Sequence, residues 1–103
     1  MPKINFFIQK PIYGITMTFQ YKKDLKLIVK QGKNLKKLER IIYLIATAQP
    51  LPPKCKNHKL IGNFDNSFEC HIEPDWLLIY RIDNNILILS LLRTGSHSDL
   101  FGK

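Results

Sequence analysis

Apolar positions recur at helical spacing in the first half of the chain and at strand spacing in the second. Residues 12–19 alternate weakly, with Ile15, Met17 and Phe19 set against Thr16 and Thr18, which predicts a strand. From Tyr21 to Gln31 the pattern changes to Tyr21, Leu25 and Ile28, with Lys22, Lys23, Lys26 and Lys30 between them, and Gly32 is a natural stop. Asn34 can cap a second helix whose apolar stripe is Leu35, Leu38, Ile41, Ile42 and Ile45. Lys33, Lys36, Lys37 and Arg40 fill its other face, and Pro50 ends it. Two short amphipathic helices with a tight link predict a hairpin, apolar inside and basic outside.

Gln49 to Asn57 contains three prolines and reads as a loop. Beyond it the period becomes two. Phe68, Cys70 and Ile72 point one way, and Glu69 and His71 the other. Asp65 and Asn66 mark a turn before this strand, and Pro74 interrupts it. The runs from Trp76 to Ile82 and from Ile86 to Leu92 are almost continuously apolar, with a hairpin turn at Asp83, Asn84 and Asn85. Strands buried on both faces belong in the middle of a sheet. The expected architecture is α+β: an N-terminal strand, an αα-hairpin, then an antiparallel sheet of three to four strands.

Length and composition fit one domain spanning residues 1–103, with residues 1–11 as an N-terminal extension. A 45% apolar content is enough for a core, so the two cysteines, Cys55 and Cys70, need not form a disulfide and read as reduced and structural. No apolar run approaches the ~20 residues that span a bilayer, so no membrane role is expected and the cytoplasm is the expected location. The net charge is +8, but it is concentrated. From Gln20 to Leu60 there are eleven Lys/Arg and two acids; from Ile61 to Lys103 there are three and six. A clustered cationic segment attracts polyanions such as RNA, DNA or an acidic protein, although a solvated lysine-rich surface would look the same.

The second half gathers titratable groups at the ends of apolar strands. His58 follows the proline loop, His71 and Asp75 flank Pro74, and Arg93, Ser96, His97 and Asp99 follow the last strand. RNA can be cut without a metal if a base takes the ribose 2′-OH proton, an acid protonates the leaving oxygen and a cation stabilises the phosphorane. Imidazoles suit the first two tasks and a guanidinium the third. Taken singly, each residue has a structural reading: a histidine at a strand end is usually a surface or hydrogen-bonded group, Arg93 can pair with Asp75 or Asp99, and Trp76 and Tyr80 open and fill a core strand. Cys55, His58, Cys70 and His71 superficially offer four zinc ligands. Adjacent strand residues face opposite ways, however, so Cys70 and His71 can hardly share an ion, and no metal is expected. No glycine-rich phosphate loop is present, and no cofactor is expected.

Three blocks carry a more specific signal: Lys56-Asn57-His58; His71-Ile72-Glu73-Pro74-Asp75-Trp76; and Arg93-Thr94-Gly95-Ser96-His97 running on to Phe101. Together with the upstream run from Tyr21 to Lys26 and the loop from Gln49 to Pro52, they resemble the YafQ-type toxins of the RelE/ParE superfamily from Phe19 to Phe101. The resemblance implies a RelE-like fold and ribosome-dependent cleavage of mRNA. It implies catalytic positions at His58, His71, Asp75, Arg93, His97 and Phe101. RNA contacts are expected at Lys33, Lys36, Lys37, Lys56, Lys59 and Trp76. The implied partners are a cognate acidic antitoxin of the DinJ/RelB type, mRNA on the ribosome, rRNA, and operator DNA only through the antitoxin complex. Lys59 departs from the proline usual after the first histidine. A ParE-type gyrase binder shares the fold but has no need of three histidines around an arginine; a non-catalytic RNA-binding module is the third reading.

Overall fold

The computed structural model describes residues 10–60 and 66–102. Strand β1 (Gly14–Met17) is shorter than the alternation suggests, because Thr18 leaves it to cap a helix. The Thr18 hydroxyl accepts from the Tyr21 amide at 2.9 Å, so Phe19 opens helix α1 (Phe19–Lys30) instead of closing the strand. Gly32, at φ +77°, follows the helix end in a left-handed conformation that favours glycine. Asn34 then caps α2 (Leu35–Ala46), its side chain accepting from the Lys36 amide at 3.0 Å. This helix stops before Pro50: the Thr47 hydroxyl bonds back to the Tyr43 carbonyl, and Ala48 turns to φ +57°. A single 3-10 turn (Pro53–Cys55) follows in the proline loop.

The remaining strands are β2 (His58–Lys59), β3 (Ser67–Glu73), β4 (Trp76–Asp83) and β5 (Ile88–Gly95), closed by the short helix α3 (His97–Phe101). They form one five-stranded sheet in the order β1-β5-β4-β3-β2. The β2 to β5 part is an antiparallel meander, and β1 adds to it parallel to β5, the crossover being the helical hairpin. Ile15 and Met17 are exposed, since β1 is an edge strand among the described residues and its apolar alternation meets little cover, and Phe19, the first residue of α1, is exposed as well. The last apolar run also starts two residues late. Asp83 Oδ1 accepts from the amides of Asn85 and Ile86, which draws residues 84–87 into the turn, with Leu87 at φ +53°. The residues 61–65, which include Asp65, lie outside the described range; Asn66, beside them, is left-handed at φ +61°.

The helices cover one face of the sheet. Tyr21, Ile28, Leu38, Ile41 and Ile45 pack on Cys70, Trp76, Leu78, Tyr80, Leu89 and Leu91. These are alternate residues of β3, β4 and β5, as the period of two requires. Both cysteines are free thiols within this core. Among the described residues, no helix is long and apolar enough to cross a membrane.

Candidate active site

Directly opposed residues of an antiparallel pair share a face of the sheet. The register therefore lays two rows across the side away from the helices. His58 opposes Glu69, Glu69 opposes Ile79, and Ile79 opposes Arg93; alongside, His71 opposes Leu77 and Leu77 opposes Gly95. Arg93 reaches this face only because of a bulge. Tyr80 pairs with Leu91, but Ile79 pairs with Arg93, so Leu92 is an extra residue. In an unbulged strand Arg93 would share the core-facing side of Leu91, two positions away; with the bulge its Cβ leaves on the side of Glu69 and His71, while the guanidinium turns to Asp24 of helix α1.

Two of the three histidines are held by a carbonyl. His58 Nδ1 lies 2.7 Å from the Lys56 carbonyl, Lys56 itself being left-handed at φ +46°, and His71 Nδ1 lies 3.1 Å from the Pro74 carbonyl. A carbonyl only accepts, so Nδ1 is the donor in both rings. The neutral ring then keeps a lone pair on Nε2. The Nε2 of His71 stands 3.9 Å from the Glu69 carboxylate, which is almost buried. The β3–β4 turn also carries Asp75, whose Oδ1 accepts from the His97 amide at 3.1 Å and ties the turn to the start of α3. Ser96 caps α3, and the His97 and Phe101 rings meet one turn apart, at 5.1 Å between centroids. A Cβ on Gly95 would stand 3.4 Å from Leu100, so the missing side chain lets α3 fold closely onto β5.

The turn thus joins His71, Asp75, His97 and Phe101 into one connected set. Arg93 lies on the adjoining row, and His58 at the far edge strand. Arg93 pairs with neither Asp75 nor Asp99, as expected from sequence, but with Asp24 of α1, through Nε at 2.7 Å and Nη2 at 3.1 Å. A nearer partner in sequence lost to one 69 positions away because α1 packs along β5. Asp24 and Glu69 were both missed as site residues. Asp24 did leave a trace: it falls three residues after Tyr21 and four before Ile28, on the buried stripe of a helix whose other charges are lysines.

Trp76, expected to contact RNA, is corrected to a core residue. It is fully buried, its Nε1 donates to the Thr94 hydroxyl at 2.9 Å, and that hydroxyl donates to the Leu77 carbonyl. A ring with no exposed surface has none to offer a base. Lys33 Nζ instead covers the ring, 5.7 Å from its centroid. Lys37 is bonded to Glu73 at 2.8 Å, and Lys37, Lys54, Lys56, His71 and Glu73 line one groove of about 320 Å³. Lys37 holds the Glu73 carboxyl below its ordinary range through that hydrogen bond. Lys36 and Lys59 are exposed, Lys59 on β2 beside His58. Among the described residues, no group of three or more His, Cys, Asp or Glu side chains is placed to hold a metal ion.

A small basic α+β domain with histidines, an arginine and carboxylates on one sheet face and at its corner has the make-up of a nucleic-acid-processing protein. The family model for YafQ, bacterial toxin of type II toxin–antitoxin systems, matches residues 13–102, and the chain belongs to this family. The mRNA interferase toxin YafQ of Escherichia coli strain K12 is 42% identical over 84 residues, 81% of this chain and 89% of that protein. The crystal structure of the E. coli DinJ–YafQ toxin–antitoxin complex matches at TM-score 0.80 and 38% identity, covering 88% of this chain and 99% of that one. A metal-bound toxin from Helicobacter pylori matches at TM-score 0.82 and 45% identity, covering 86% and 99%.

Proposed function

We propose that this toxin is an endoribonuclease that cuts mRNA on the ribosome by side-chain acid–base chemistry. The observation that carries the reading is the common face: the register and the bulge make the His71 and Arg93 side chains leave the sheet on the same side, and Asp75 holds the His97 backbone amide at its corner.

Strand spacing supports His71 over His58 as the base. Neighbouring strands lie about 4.8 Å apart, so β3 is about 10 Å from β5 and β2 about 14 Å. His71 and Arg93 can extend to one phosphate across about 10 Å, whereas His58 stands a strand further out. His71 Nε2 therefore takes the 2′-OH proton, and the Glu69 carboxylate 3.9 Å away favours the imidazolium that results. The 2′-oxygen attacks phosphorus, the bond to the 5′-oxygen breaks, and His97 delivers a proton to that leaving oxygen. The products are a 2′,3′-cyclic phosphate and a 5′-hydroxyl. Arg93 stabilises the phosphorane through N–H groups not engaged by Asp24. His58 positions the strand, and Phe101 stacks on a base.

Lys33 in the link between the helices and Lys36 and Lys37 on α2, with Lys54, Lys56 and Lys59 near β2, grip ribosomal and messenger RNA through phosphates. The partner implied by the family is a cognate antitoxin with an acidic segment that neutralises this surface, and the site of action is the cytoplasm. Mapping mRNA 5′ ends after brief expression, with and without the neighbouring antitoxin gene, tests the function. New in-frame ends are expected only without the antitoxin; an unchanged end profile alongside growth arrest would point instead to a gyrase-binding toxin. The chemistry also predicts cleavage that persists in EDTA once ribosome integrity is secured by other means.

A further inference from the structure

We propose that Asp24, on helix α1, is the positioning residue for Arg93, fixing which edge of the guanidinium faces the scissile phosphate. This inference rests on the reading of Arg93 as the phosphate-binding group.

Asp24 is only 7% exposed and accepts four N–H groups. Oδ2 takes Arg93 Nε at 2.7 Å and the Thr94 amide at 3.1 Å; Oδ1 takes Arg93 Nη2 at 3.1 Å and Gln20 Nε2 at 3.1 Å. The Thr94 bond fixes the carboxylate to the backbone of β5, one residue from the arginine it holds. The Gln20 bond fixes it to the preceding turn of its own helix. A carboxylate anchored on both sides is a rigid clamp, and it grips the arginine by the Nε–Nη2 edge.

An arginine has five N–H donors. Two are consumed by Asp24. Of the three that remain, one on Nη1 and one on Nη2 form the end-on edge of the plane, a fork matched to two phosphate oxygens, and the third, on Nη1, points to the Cδ side. The Arg93 side chain is 24% exposed, so a part of the group remains open while its held edge is buried. Left unclamped on a strand, a long flexible side chain would spread over many rotamers and present this fork only part of the time. The bulge at Leu92 turns the direction in which the Arg93 side chain leaves β5, and Asp24 then sets the orientation of its guanidinium.

The test is a double-mutant cycle on purified toxin with programmed ribosomes, reading the single-turnover cleavage rate at saturation and the half-saturating ribosome concentration separately. Asp24→Asn preserves size but replaces one acceptor with a donor. It is expected to lower the saturated rate by about ten- to a hundredfold, leaving half-saturation unchanged, as for residues that orient a reacting group. In an Arg93→Ala background the same change is expected to have no further effect. A purely architectural Asp24 would instead give the same loss in both backgrounds, in step with the folded fraction seen in thermal unfolding. That outcome, or a wild-type rate in Asp24→Asn, overturns the proposal. Arg93→Lys supplies an arm that does not depend on how Asp24→Asn folds. Lysine keeps the charge but has one nitrogen, so it cannot be held by one edge while presenting another. Its rate is expected to fall close to that of Arg93→Ala, and wild-type cleavage by Arg93→Lys also overturns the proposal. If Arg93→Ala itself cleaves normally, the phosphate-binding role of Arg93 fails first, and the two failures are thereby told apart.

Discussion

The two faces of the sheet use the same strands for opposite ends. On the helix-covered face Cys70, Trp76, Leu78, Tyr80, Leu89 and Leu91 are closed off by α1 and α2. Where that face holds polar atoms, as at the Trp76 indole and the Tyr80 hydroxyl, each has a partner, Thr94 and Asn57. The other face carries Glu69 and His71, and the Arg93 side chain leaves β5 from it; the Pro74 carbonyl holds His71 Nδ1 and Asp24 holds two Arg93 N–H groups, which leaves His71 Nε2 and the remaining Arg93 N–H groups with bonding capacity. One face is saturated and gives stability. The second is partly satisfied, which costs stability and leaves groups available for the proposed chemistry.

The contrast is broken most severely at its chemical end. His97→Ala is expected to lower cleavage by about a hundredfold or more, the usual range for loss of a general acid. Its unfolding transition should stay close to wild type, because the Asp75 bond uses the His97 backbone amide and survives truncation. A single-turnover assay beside a thermal melt separates the two effects. On the saturated face the expectation inverts: Trp76→Ala should cost about 3–5 kcal/mol in urea unfolding, and should lose activity only in proportion to the unfolded fraction. A stable but inactive Trp76→Ala would mean that the indole takes part in the site.

Within the chemical face, His71→Ala should reduce the saturated rate more than His58→Ala, since His58 lies one strand further from Arg93. Equal losses would move the base to a shared role. Charge reversal at Lys33, Lys36 and Lys37 should weaken ribosome binding and flatten its salt dependence while sparing the fold. The one ion pair it breaks, Lys37–Glu73, is exposed and contributes little. Its pH signature follows from the lowered Glu73 carboxyl. The pair's small stabilisation is present above the ordinary carboxylate value of 4.5 and is lost as pH falls through the lower folded value. The smallest effect expected is at Cys70. Burial holds its thiol up at about 12, so a thiol reagent at pH 8 should label it only after denaturation.

Much of this was legible in the sequence, and the parts that were not share a cause. Asn34, Gly32 and the stripes of α1 and α2 act locally, so caps and periodicity located the helices well. The long apolar runs of β4 and β5 correctly announced central strands, because such strands are buried on both sides. Those same runs concealed Leu92: in an unbroken apolar string a bulge leaves no change of pattern to notice. Ile86 and Leu87 were read as strand because their side chains look like it, whereas Asp83 captured their backbone. The parallel pairing of β1 with β5, and Asp24 with Arg93, are contacts about 70 positions apart, which local spacing cannot express. Block patterns around His58, His71 and Arg93 named the titratable kit; the clamp that orients it came only with the tertiary structure.

In the proposed mechanism the ribose 2′-hydroxyl is the nucleophile, activated by side chains on the partly satisfied face. It is tested most directly with a programmed ribosome carrying an mRNA that has a single 2′-deoxy substitution 5′ to the cleavage site. The account predicts no cut at that position while the unsubstituted message yields a 2′,3′-cyclic phosphate and a 5′-hydroxyl end. Cleavage of the 2′-deoxy message at the same bond, or products bearing a 5′-phosphate, would contradict it.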